Sequence, residues 1–382
     1  MSADEQYRTH GTGAGDVESG EDGREITVGL VADPGLPATV ADLLADRLCG
    51  ALPDHLDEQP VTWRATVTRD PFEVLVPDYE RMLDKARQRV VSTSSDIAVC
   101  VTDTPLRDGR NVIAAQVGSG DPIVLVSLPA LGGLAPARRT YRLVSVLVEH
   151  VASDLVAPDR ERPRLRLPRG VRGFPGLRVT GSAEQGVSSR VTVAGPFGIA
   201  RLVAGMVRAN RPWRMAWALS GAMGGALAGS SFGILYSSLW NLADSLPTWR
   251  LLGMAVCAVG VHVAWIVFGH RLWERGRRSS RRDRPSVGLR NATTVLTVGF
   301  GILVFTAELF VLTWAASLLV VTPEYLASVL GHPVGYLDHV QVALMSTVMG
   351  TIAGAVGSGW EDAVTVREAT YAQRQREREN WE

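Results

Sequence analysis

The run Ala292-TTVLTVGFGILVFTAELFVLTWAASLLV-Val321 decides the architecture of this chain. Its one charged residue is Glu308. At 1.5 Å per residue, thirty helical residues reach about 45 Å, well beyond a hydrocarbon core of roughly 30 Å. No Gly or Pro lies between Gly301 and Pro323, so the run predicts one tilted or protruding helix, not two half-spans. Three other runs are long and apolar enough to cross: Met215–Tyr236, Leu251–Gly269 and Val340–Ser358. The sequence therefore predicts an all-α transmembrane bundle of four helices within 213–360.

Arginine sets the expected orientation. Arg201, Arg208, Arg211 and Arg214 precede the first span, and eight arginines lie in 271–290. Arg367, Arg374, Arg376 and Arg378 follow the fourth span, whereas the connections 241–250 and 322–339 hold one arginine and none. Positive charge is retained on the cytoplasmic side, so both termini are expected inside and the chain in the cell (inner) membrane.

Ahead of the spans the material changes. Residues 1–25 carry seven acids against two arginines, with many Gly and Ser, the composition of a disordered acidic tail. Residues 26–158 read as a cytoplasmic α/β domain. Ile26–Ala32 is a short β-rich run closed by Asp33-Pro34-Gly35, and Pro37–Leu52 has helical spacing. Trp63–Val67 reads as a strand and Val74–Val91 as a helix. Three apolar runs (97–101, 112–117 and 123–128) precede an amphipathic helix over Arg139–Val156. Strands alternating with helices predict a layered sheet. Residues 159–212 read as an arginine-rich linker and juxtamembrane segment, and 361–382 as a charged cytoplasmic tail.

The basic segments have a membrane reading. Arg162, Arg164, Arg166 and Arg169 in the linker, and Arg277, Arg278, Arg281 and Arg282 between the second and third spans, are candidates for anionic lipid headgroups. Each such residue near the surface contributes about 1 kcal/mol. No aromatic interleaving or groove-reading motif accompanies them, so nucleic acid is not an expected partner. The partners expected are the lipid bilayer, an unknown cytoplasmic partner and a second copy of the chain.

Within the spans two patterns stand out. Gly221, Gly225, Gly229 and Gly233 recur every four residues in the first span, and Ser346, Gly350, Gly354 and Ser358 repeat this in the fourth. Small residues on one helix face let another backbone approach closely, within the bundle or across a homo-oligomer. Glu308 and His262 are ionisable groups near mid-span, where charge is costly. They are expected to face other helices and to approach each other, as a structural hydrogen bond or as part of a proton or cation path.

No catalytic, metal or cofactor site is expected. Cys49, Cys100 and Cys257 have no ligand spacing, the turn after Ile26–Ala32 lacks GxGxxG, and no GxxxxGK[ST] occurs. Ser95, Ser127 and His150 lie outside any nucleophile elbow.

All but one of the 39 basic residues are arginine, and Ala, Val and Gly abound. With an α/β unit ahead of four spans, the chain resembles an actinobacterial inner-membrane protein family. DIAVCVTDTPL, NVIAAQV and PIVLVSLPAL followed by a long helix resemble the core of zincin-type metallopeptidases, archaemetzincins in particular. In that family the helix carries HExxH. Here it offers adjacent Glu149 and His150, with Val146 and Asp154 where a second histidine belongs. The resemblance thus implies a degenerate, metal-free domain.

Overall fold

The computed structural model describes residues 8–9, 23–69, 95–108, 111–157, 165–168, 171, 177–181, 187–193, 195–213, 219–274 and 284–360. The helix expected at 74–91, the residues of both tails beyond these limits and seven of the eight arginines expected to contact lipid lie outside them. Arg166, the eighth, is exposed. The chain divides into two compact units, one reaching Ala209 and one beginning at Asn210.

The first unit is built on a ten-stranded mixed sheet. Its strands are β1 (Arg8–Thr9), β2 (Arg24–Ala32), β3 (His55–Leu56), β4 (Gln59–Arg69) and β5 (Ile97–Thr102). They continue with β6 (Leu106–Asp108), β7 (Asn111–Gly118), β8 (Ile123–Ser127), β9 (Leu177–Gly181) and β10 (Val187–Val193). The order is β1-β4-β2-β5-β8-β7-β10-β9, with β3 on β4 and β6 on β7. Neighbouring strands from β4 to β8 run parallel, and β7, β10 and β9 add antiparallel pairs.

Every residue of β5 and β8 is buried. That explains why these stretches are continuous apolar runs: strands covered on both faces lose the alternation of a half-exposed strand. Helices α1 (Leu36–Leu48) and α2 (Pro136–Val156) lie against the sheet. α1 buries Val40, Ala41, Leu44 and Leu48, and α2 buries Leu143, Val144, Leu147, Val148 and Val151. Burial at such three- and four-residue intervals is what an amphipathic helix offers a core, at roughly 1.5–3 kcal/mol per large aliphatic side chain.

The first unit runs past 158. Strands β9 and β10 and helix α3 (Pro196–Ala209) fall in the segment read as an arginine-rich linker. In β10, Val187, Val191 and Val193 are buried, and Arg190, itself 8% exposed, pairs with Asp108 at 3.2 Å. The strand itself, VSSRVTV, carries a single charge; the arginines clustered ahead of it at 160–178 gave the whole segment the look of a linker. α3 rests on the turn Pro129–Leu131 at Gly205, whose position leaves no room for a Cβ against Pro129.

The second unit is helical: α4 (Ser220–Leu235), α5 (Ser237–Ser245), α6 (Thr248–Gly269), α7 (Arg284–Val320), α8 (Pro323–Leu330) and α9 (Tyr336–Gly357). Three of these, α6, α7 and α9, are long and apolar enough to cross a membrane. α7 is continuous for 37 residues, the single helix implied by the absence of Gly and Pro between Gly301 and Pro323. The first expected span corresponds to α4, a shorter apolar helix of 16 residues, with 214–218 outside the described residues. Short helices α5 and α8 follow α4 and α7. Tyr236 turns the chain out of α4 with extended φ/ψ of −98° and 107°, and Thr322 caps α8 ahead of Pro323.

α4 and α9 meet along the expected small-residue faces. A Cβ on Gly225 would fall 3.2 Å from the Ala353 carbonyl oxygen, and one on Gly229 2.5 Å from Ala353 Cβ. Gly233 lies on Ser346, Gly350 on Ser230 and Ala226, Gly354 on Ala222 and Ala226, and Gly357 on the Gly221 carbonyl. Ser358, past the end of α9, is buried and bonds its hydroxyl to the Ala355 carbonyl at 2.7 Å.

Candidate functional site

In the first unit, the parallel strands end where the chain leaves β2 and β5 towards opposite sides. From β2 it runs through α1 to β4; from β5 it runs through β6 and β7 to β8. The crevice at the carboxyl ends of strands whose connections diverge is the usual ligand position in open α/β sheets. Polar side chains gather there. Asp33 follows β2, Thr102 and Asp103 end and follow β5, and Ser127 ends β8. They are 7%, 0%, 8% and 0% exposed, amid otherwise apolar strands.

Their hydrogen bonds fix the arrangement. The Thr102 hydroxyl donates to Asp33 Oδ2 at 2.5 Å and accepts from the Thr104 amide at 3.0 Å. The Ser127 hydroxyl donates to the Thr104 carbonyl at 2.7 Å. The Asp33 amide donates to the Val101 carbonyl, and the Asp33 carbonyl accepts from the Ala38 amide in the first turn of α1. The intervening Gly35 has φ +93°, a conformation that a side chain would resist. The result is a buried polar edge with two carboxylates, Asp33 and Asp103, at the strand ends where open α/β sheets usually take a ligand.

A second polar feature of this unit is basic. Arg139, in the first turn of α2, donates to the Leu131 carbonyl at 2.6 Å, and Arg201 of α3 stands close by on the same glycine, Gly132. Burial, followed by the charge of Arg139, lowers the Arg201 pKa to about 10. Glu149 of α2 is exposed and His150 half-buried. Neither belongs to a metal-competent cluster among the described residues.

In the helical unit, His262 is fully buried. Its ring meets Phe305 edge to face, with centroids 5.5 Å apart at 88°. Neither ring nitrogen has a hydrogen-bond partner among the described residues. Glu308, one turn past Phe305, is half-buried. No hydrogen bond or ion pair joins it to His262 among the described residues. Hydroxyls, by contrast, do make contacts onto α7: Thr347 of α9 meets Thr313 at 2.9 Å, and the Asn210 side-chain amide donates to the Thr297 hydroxyl at 3.2 Å. A cavity of about 210 Å³ opens between α6, α7 and α9, lined by Ala255, Thr306, Phe310, Thr347 and Thr351 among others.

Sequence reasoning singles out the intramembrane pair and passes over the strand-end crevice. By sequence alone Asp33 is a turn residue, and Thr102 and Asp103 are the end of an apolar run. The available signal is that three of the strand-like runs, 26–32, 97–101 and 123–128, have a polar residue at or beside their carboxyl end. Compared with known proteins, the chain matched no family model, no curated protein and no solved structure.

Proposed function

We propose that this chain is a four-span protein of the cell membrane with both termini in the cytoplasm. Its α/β unit binds a small ligand or partner at the inner face without catalysing a reaction, and its helices hold that unit at the membrane. The observation that carries the reading is the buried Asp33–Thr102–Asp103–Ser127 edge at the divergence of β2 and β5. The exposed Arg166, with the arginines flanking it in sequence, suits contact with anionic headgroups.

Native mass spectrometry of the full chain in detergent, with a panel of amine- and hydroxyl-bearing metabolites, tests the proposal. The wild type takes up a compound from this panel, and Asp103→Asn lowers its affinity at least tenfold. If nothing binds, or if the variant binds equally well, the crevice is not the site.

The buried His262, whose ring nitrogens have no hydrogen bond among the described residues, favours a second reading, a small transporter or channel using Glu308 and His262. In proteoliposomes, Glu308→Gln would then abolish proton-coupled flux, and unchanged flux removes that reading.

A further inference from the structure

Three side chains distant in sequence converge in the helical unit. Asp244 lies near the end of α5, His332 between α8 and α9, and Asp338 in the first turn of α9. One ligand atom from each lies within 4.8 Å of the others. His332 and Asp244 have side chains 39% and 33% exposed, so a solute can reach them.

The imidazole contacts carry the argument. His332 Nδ1 is 3.0 Å from the Pro333 carbonyl oxygen. A carbonyl only accepts, so Nδ1 bears the hydrogen and the neutral ring presents the lone pair of Nε2. That lone pair faces Asp244 Oδ1 at 3.2 Å. Two acceptors so close repel each other unless a proton or a metal ion lies between them. Ligand atoms about 2.0–2.1 Å from a tetrahedral metal are about 3.3 Å apart, close to the spacing of His332 Nε2 and Asp244 Oδ1.

The surroundings resemble those of a metal site. Metal-binding histidines usually donate their other N–H to a carbonyl or carboxylate, as His332 does to Pro333. Asp338 Oδ2 accepts the Gly335 amide at 2.7 Å, which orients its carboxylate and leaves lone pairs for a cation.

We propose that Asp244, His332 and Asp338 bind a divalent transition-metal ion of the Zn²⁺ type. An imidazole with two carboxylates favours such an ion over Mg²⁺ or Ca²⁺, which prefer all-oxygen shells. Three protein ligands leave a position for water. The ion would join α5 to the start of α9, and the site is independent of the crevice in the first unit.

Calorimetric titration of the chelator-treated full chain in detergent with ZnCl₂ at pH 7.5 tests this. One Zn²⁺ binds per chain, at least tenfold more weakly in Asp244→Asn and His332→Gln, while His339→Gln binds like the wild type. A wild type that takes up no Zn²⁺, or an Asp244→Asn/His332→Gln double variant that binds as tightly, overturns the proposal. Co²⁺ gives a readout on the wild type alone. Intense visible absorption of four-coordinate Co²⁺ supports the site, and the weak spectrum of the hydrated ion refutes it.

Discussion

Replacing Gly229 by alanine tests the contact between α4 and α9 most sharply, because two opposing effects can be separated. Alanine in a helix interior is favoured over glycine by about 1 kcal/mol. At Gly224, on the same helix, an added Cβ would have nothing within 4 Å, so Gly224→Ala should gain up to that amount. At Gly229 the added carbon would fall 2.5 Å from Ala353 Cβ, 3.3 Å from the Met349 carbonyl oxygen and 3.4 Å from Gly350 Cα. Carbon atoms pack at about 3.5–4.0 Å, so the helices must part by roughly 1 Å there. Such overpacking costs about 1–3 kcal/mol and exceeds the propensity gain. Gly229→Ala should therefore be less stable than Gly224→Ala by about 1–3 kcal/mol. The assay is unfolding of the full chain in mixed micelles, followed by tryptophan fluorescence and circular dichroism at several protein concentrations. Because the contact is within one chain, the difference should not depend on concentration. Equal stability of the two variants, or a difference that vanishes on dilution, would refute the reasoning.

Three further outcomes are expected. Thr102→Val removes the hydroxyl that donates to Asp33 and should destabilise the first unit by about 1–3 kcal/mol, since a buried carboxylate loses a donor; thermal unfolding checks this. Gly205→Ala should lower the melting temperature of the first unit by several degrees, because the Cβ meets the Pro129 backbone; an unchanged melting temperature would mean that α3 does not rest there. Burial, the largest influence on Cys49, raises its thiol pKa above the ordinary value. Its alkylation by iodoacetamide should therefore keep accelerating with pH beyond the point where a free cysteine levels off, and a rate that levels off with free cysteine would contradict this.

Much of the architecture is legible because it rests on local pattern. The absence of Gly and Pro between Gly301 and Pro323 is a local fact, and α7 is one helix. Gly225, Gly229 and Gly233 share a face by spacing alone, and that face meets α9. The strands β2, β5, β7 and β8 coincide with the apolar runs read as strands. What escapes depends on long-range pairing. β10 is stabilised by β7 and by the Asp108–Arg190 pair, 82 residues apart, and the arginine-rich stretch ahead of it masks its own strand-like composition. The polar edge forms only when β2 and β5 become neighbours, which brings Thr102 to Asp33 across 69 residues. Asp244 and His332, 88 residues apart, meet because α5 and the start of α9 fold together, and neither stands near another ligand in sequence. For Glu308 and His262 the sequence supplies depth but not azimuth, and helix rotation decides whether two groups at similar depth can touch.

The central claim is an even number of crossings with the α/β unit in the cytoplasm. Paired topology reporters, one active only inside and one only outside, fused after Glu382 and within Asn241–Arg250, test it directly. The carboxyl-terminal fusion should be active inside and the 241–250 fusion outside. Activity outside for the fusion after Glu382 would contradict the account.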